Sequence, residues 1–152
     1  MKDVYIKAIK NIVIIANFKK TEQYVFGHDA YTQWAEALLD DNDFLKDSLE
    51  ILENRFDVHC GQLVITMTGR EYAAQFLLRS LELASAYKDQ IEQAICFLNQ
   101  EKAVLNQIWS IHGGWESPEI AQKLASRDFR TQLVKVILDA RDLYVKAVQC
   151  LS

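Results

Sequence analysis

One proline, Pro118, in a chain of 152 residues leaves almost nothing to stop a helix once it has started. Proline removes a backbone donor and clashes with the preceding turn, and all-β chains spend it freely, with glycine, on their many turns. Here five glycines accompany the one proline. Apolar residues then recur at helical spacing in segment after segment, which predicts an all-α, up-and-down bundle of about six or seven helices in a single domain. Half of the residues are hydrophobic and a quarter charged, a composition that supports one buried core rather than disorder.

The first segment places Tyr5, Ala8, Ile12 and Ile15 on one face, widened by Ile9, Val13 and Ala16, and reads as a strongly buried helix. An irregular stretch from Lys19 to His28 follows, and Asp29 is placed to cap a helix from Ala30 to Leu39. The cluster Asp40, Asp41, Asn42 and Asp43 lacks the Gly and Glu register of a calcium-binding loop, so it reads as an acidic turn opening a helix from Asp43 or Phe44 to Arg55. The next segment, from about Val58 to Ala84, contains the β-branched run Leu63 to Met67 between Gly61 and Gly69. No second strand is evident to pair with it, so helix is expected, with the two glycines permitting close approach of neighbouring helices. A long helix from Ser85 to His112 carries Tyr87, Ile91, Ala94, Leu98, Leu105 and Ile108 inward and ends at Gly113 or Gly114. Ser117 and Pro118 open a short helix to about Ala125, and Ser126 caps a last helix with Phe129, Leu133, Val136, Ile137, Ala140, Tyr144 and Ala147 on one stripe.

Seventeen basic and 21 acidic residues are mixed along the chain for a net charge of −4, so no basic stripe offers itself to a phosphate backbone and nucleic acid is not an expected partner. The apolar run Ile12 to Ala16 is too short for a bilayer, and no membrane partner is expected. Cys60, Cys96 and Cys150 are an odd set, far apart and each within an apolar helical pattern; they read as buried thiols in a reducing, cytoplasmic setting. No dinucleotide fingerprint, phosphate loop or nucleophile elbow is present, and no cofactor is expected.

Chemistry is therefore sought where polar groups fall inside. On the helix from Val58 to Ala84, His59, Thr66 and Arg70 lie within about 40° of one another, with Gln62 one step aside. Apolar neighbours on most other sides predict that this helix is interior. Three readings stay open. The file lines a pocket for a small anionic or carbonyl-bearing ligand, or Arg70 pairs with an interior carboxylate while His59, Gln62 and Thr66 satisfy one another; a third is that the face meets solvent. His59 and Cys60, adjacent on a helix, point about 100° apart and make a poor dyad. His28, His59 and His112 lie far apart in sequence, without the spacing of a zinc site, and His112 reads as a favourable partner for a helix C-terminus. Trp34, Trp109 and Trp115 read as core and loop anchors.

The stretch from Gly27 to Leu77, through AYTQWAEALLDD, NRFDVHCGQL and GREYAAQFL, resembles the helical C-terminal region of bacterial hypothetical proteins that carry a papain-like or butirosin-biosynthesis-H-like N-terminal domain. The resemblance implies that Tyr31, Trp34, His59, Gln62 and Arg70 form the characteristic patch, and that a preceding catalytic-type domain is missing here. It carries over no peptidase or acyl-transfer activity, since no Cys and His pattern of that kind precedes Gly27. The leading expectation is a ligand-binding helical module using His59, Gln62, Thr66, Arg70, Tyr31 and Trp34. The alternatives are a hydrolase or transferase with His59 as general base, and a structural module that forms a homodimer.

Overall fold

The structure, a computed structural model, describes residues 2–18, 21–44, 48–113 and 118–152. These form six α-helices: α1 (Lys2–Ala16), α2 (Gly27–Leu39), α3 (Leu49–Ser80), α4 (Lys88–His112), α5 (Pro118–Lys123) and α6 (Arg127–Cys150). Short 3-10 turns at Asp41–Asp43 and Ser85–Tyr87 lead towards α3 and into α4. The all-α bundle expected from the apolar spacing is the fold observed.

The central pair is α4 against α6, with α3 flanking α4 and α2 flanking α6. Its core is built from the positions the periodicity picks out. Ile91, Leu105 and Ile108 of α4 and Leu133, Ile137 and Ala140 of α6 are fully buried, as is Leu63 of α3. Each large aliphatic side chain so placed contributes about 1.5–3 kcal/mol relative to exposure. Phe129, on the same stripe of α6, is half-buried.

Helix ends follow local chemistry. Ser48 and Ser126 cap α3 and α6 by accepting from the amides of Ile51 and Phe129, and Gly113 closes α4 in the left-handed conformation at φ 83°. Gly27 starts α2 at φ +60°, where an added Cβ would lie 1.8 Å from the Ala16 carbonyl oxygen. Only glycine lets α2 pass so close under the end of α1.

Several local expectations are corrected. Asp29 sits in the first turn of α2 rather than capping it; Phe26 occupies the N-cap without a side-chain bond. The separate helices expected at 43–55 and 58–84 are one continuous helix, α3, 32 residues long, beginning only at Leu49. The acidic residues before it engage basic side chains: Asp43 pairs with Arg55 at 2.7 Å, and Asp41 with Arg127 and Arg130. α1 is not strongly buried. Ile9 and Ala16 are its buried apolar residues, while Val4, Ile14 and Ile15 are exposed. Of the thiols, Cys60 is buried, Cys150 half-buried and Cys96 exposed. Ser117, Gly114 and Trp115 lie outside the described residues. Among the described residues, no helix is long and apolar enough to cross a membrane.

The expectation that α3 is interior on all sides also fails. Its buried residues form one stripe, Leu52, Phe56, His59, Cys60, Leu63, Thr66, Ala74, Leu77 and Ser80, while Val58, Val64, Ile65, Tyr72 and Leu78 face outward. Helical phase, not the number of apolar residues a helix carries, decides which side is covered, and α3 has neighbours on one side only.

Candidate functional site

Because α2 packs on α6 and α3 on α4, the backbones of α2 and α3 scarcely meet, and an open groove runs between them. It has two adjoining compartments of about 360 and 250 Å³ that share Val25, Ala30, Trp34 and Gln62. All six residues expected at the site line it: His59 in the larger compartment, Tyr31, Thr66 and Arg70 in the smaller, Trp34 and Gln62 in both. The two elements supply them by simple helical phase, Tyr31 and Trp34 one turn apart on α2, and the file His59, Gln62, Thr66 and Arg70 along α3.

At one end of the groove Arg70 is bound from below. Its Nε donates to Glu101 Oε1 of α4 at 2.7 Å and one terminal nitrogen donates to the Tyr31 hydroxyl at 2.9 Å. The guanidinium lies 4.1 Å from the centroid of the Tyr144 ring of α6. Tyr31 donates its own hydroxyl to Glu101. Burial works to lower the Arg70 pKa, but Tyr31, Glu101 and Tyr144 outweigh it and the group stays charged. Burial raises the Glu101 carboxyl above the usual carboxylate range, against the pull of Arg70 and Tyr31. Burial likewise pushes the Tyr31 phenol well above its ordinary value. The interior carboxylate that sequence reasoning allowed for Arg70 is thus Glu101.

At the other end a chain of rings runs inward. Trp34 Nε1 donates to His59 Nδ1 at 3.0 Å, and His59 Nε2 lies 3.1 Å from His112 Nε2. The direction of the first bond fixes the tautomers. With Nδ1 accepting, neutral His59 carries its proton on Nε2 and donates it to His112, whose proton must then sit on Nδ1. That Nδ1 is buried with no hydrogen-bond partner. It is boxed in by the rings of Phe56, Trp109 and Phe129. His112, expected as a favourable charge at a helix C-terminus, is instead held neutral in the interior. It is a buried ring brought against His59 across 53 residues of chain.

Burial, helped by His112, lowers the His59 pKa from 6.5 to about 3; burial, helped by Lys123, lowers that of His112 from 6.5 to about 4. The unfolded chain takes up protons on these rings below 6.5 while the folded chain resists, so their contribution is complete above 6.5 and falls as pH drops towards 4. His112→Phe should flatten the acid limb of the unfolding free energy by roughly one proton, about 1.4 kcal/mol per pH unit. Glu101 acts in the opposite sense on the same limb, but it is common to both proteins and cancels in the comparison. Equal slopes for the two proteins would show that His112 is not held neutral.

Glu101, His112 and Tyr144 complete the site, and sequence reasoning placed none of them in it. The signal was there: α4 buries Ile91, Ala94, Leu98, Glu101, Leu105, Ile108 and His112, an unbroken alternation of three and four residues in which two positions are polar. Gln62 donates to Thr66 Oγ1 at 3.2 Å, which leaves its amide oxygen open to the groove. Cys60 points into the core, its thiol pushed by burial and then by Asp57 up to about 12, and plays no part. Among the described residues no group of three His, Cys, Asp or Glu could hold a metal ion. Comparison of the chain with family models, curated proteins and solved structures finds no match.

Proposed function

We propose that the groove between α2 and α3 holds a small, flat, carbonyl-bearing molecule, and that the domain is a ligand-binding helical module. The observation carrying this reading is that two helices whose backbones scarcely meet bring aromatic walls and partly used polar groups to one opening. Arg70 commits Nε to Glu101 and Nη2 to Tyr31, which leaves Nη1 to donate to a carbonyl. The Gln62 oxygen accepts from an N–H on the same ligand, and Trp34 offers a flat apolar face. An amide or lactam satisfies both groups. A free anion is disfavoured, because Glu101 already neutralises Arg70 within the site.

Titration with benzamide and, separately, benzoate, read at the Trp34 indole N–H by NMR, tests this. Benzamide should shift that resonance and benzoate much less, with the response lost in Gln62→Leu. A Trp34 resonance indifferent to both, or a shift unchanged in Gln62→Leu, removes the groove from consideration. The reading of His59 as general base has less in its favour, because one ring nitrogen accepts from Trp34, the other faces His112, and burial holds its pKa near 3. The resemblance of residues 27–77 to a region that follows papain-like domains suits an accessory, ligand-holding role.

A further inference from the structure

The outward face of α3 carries a line of apolar residues at intervals of seven: Ile51, Val58, Ile65 and Tyr72, which are 39%, 68%, 70% and 67% exposed. A heptad interval keeps a stripe aligned towards one partner over several turns. Gly61 and Gly69 lie on the same face, and a Cβ at either would meet nothing within 4 Å. Nothing inside the protein calls for these glycines, although each weakens a helix interior by about 1 kcal/mol relative to alanine.

Paired positions lie at equal distances on either side of Ile65. Gly61 and Gly69 lie four residues before and after it, Val58 and Tyr72 seven, Ile51 and Arg79 fourteen. A two-fold axis passing at Ile65 would bring each of these positions to its counterpart on a second copy, so that residue i meets j and j meets i. From this we infer that α3 pairs antiparallel with α3 of a second copy of this chain, the two-fold axis passing at Ile65. Gly61 of each copy then faces Gly69 of the other, which lets the helices approach closely around the two Ile65 side chains.

Charge selects the same direction. Glu50, Glu53 and Asp57 lie in the first part of α3 and Arg79 at its end, and none of them makes an ion pair with a described residue. Glu71 and Arg55, by contrast, are already held by Lys102 and Asp43. Antiparallel pairing sets Arg79 beside Glu50 of the second copy at both ends of the interface and opposes the two helix dipoles favourably. Parallel pairing would put each carboxylate against its own copy.

Sedimentation equilibrium of the full chain should show a dimer at high micromolar concentration. Ile65→Glu, which sets two charges against each other on the axis, should weaken it by more than roughly 30-fold with the helical content unchanged. Gly61→Leu should do the same while raising the stability of the monomer, because it improves the helix and only closes the approach. Arg79→Glu should weaken the dimer and Arg79→Glu with Glu50→Arg should restore it. With Cys96 and Cys150 replaced by serine, an oxidised mixture of Gly61→Cys and Gly69→Cys chains should give the mixed disulfide in preference to either homodimer. A monomer at all concentrations, a dimer indifferent to Ile65→Glu, or cross-linking of Gly61→Cys mainly to itself would each overturn the inference.

Discussion

Replacing Glu101 by alanine is expected to cost about 3–5 kcal/mol of stability, because it leaves the guanidinium of Arg70 beneath α2 without its counter-charge. The Arg70 side chain is 19% exposed and that of Glu101 not at all, so solvent cannot take the place of the lost partner as it would at the surface. The Tyr31 hydroxyl loses its acceptor in the same step. For a chain of this length the loss corresponds to a fall in Tm on the order of 10 °C. Arg70→Met should also destabilise, since Glu101 would then be buried beside Tyr31 alone. The double variant Arg70→Met with Glu101→Leu should lose much less than the sum of the two single losses, because an apolar pair of similar volume needs no counter-charge. Additive losses, measured by denaturant unfolding, would mean that the two groups do not act as a pair.

The second large effect is expected at Arg130, which is 1% exposed near the start of α6. Its Nε donates to the Leu38 carbonyl at 2.7 Å and Nη1 to the Leu124 carbonyl at 2.5 Å, while Nη2 meets Asp41. Leu38 and Leu124 stand at the C-terminal ends of α2 and α5, where helices leave carbonyls without intrahelical partners. One planar fork thus closes two helix ends and ties both to α6, with Phe44 stacked 4.5 Å from its centre. Arg130→Met should cost on the order of 3–5 kcal/mol through two buried carbonyls left without donors. Arg130→Lys should recover little, because a single ammonium cannot span all three acceptors. Asp41→Asn should cost distinctly less than Arg130→Met, since Asp41 is solvent-exposed and the amide oxygen still accepts from Nη2. Hydrogen exchange at the end of α2 should quicken in Arg130→Met and stay unchanged in Asp41→Asn. A loss of stability in Asp41→Asn as large as in Arg130→Met would instead make the ion pair the stabilising element.

Much of the bundle was legible from spacing. Ile91, Ala94, Leu98, Leu105 and Ile108 on α4, and the stripe from Leu133 to Ala147 on α6, are buried as their periods imply, because an amphipathic helix has one energetically acceptable way to face a core. The run Leu63 to Met67 is helical, as the lack of a strand partner required. Six residues of the groove were also readable, since a polar file on one helix and an aromatic pair one turn apart on another are local patterns.

What the sequence by itself determined was the helical state of these segments and the phase of α4 and α6, for these depend on residues three and four apart. Only the tertiary structure decided which neighbour each face would meet. Glu101 opposite Arg70 is separated from it by 31 residues, and His112 from His59 by 53; Arg130 reaches Leu38 across 92. No local period encodes such pairings, because they follow from how α3, α4, α6 and α2 are laid side by side. The same arrangement explains why α3, apolar enough to suggest an interior helix, is covered on one side only. Its polar file is turned onto a groove, and its heptad of Ile51, Val58, Ile65 and Tyr72 is left facing outward.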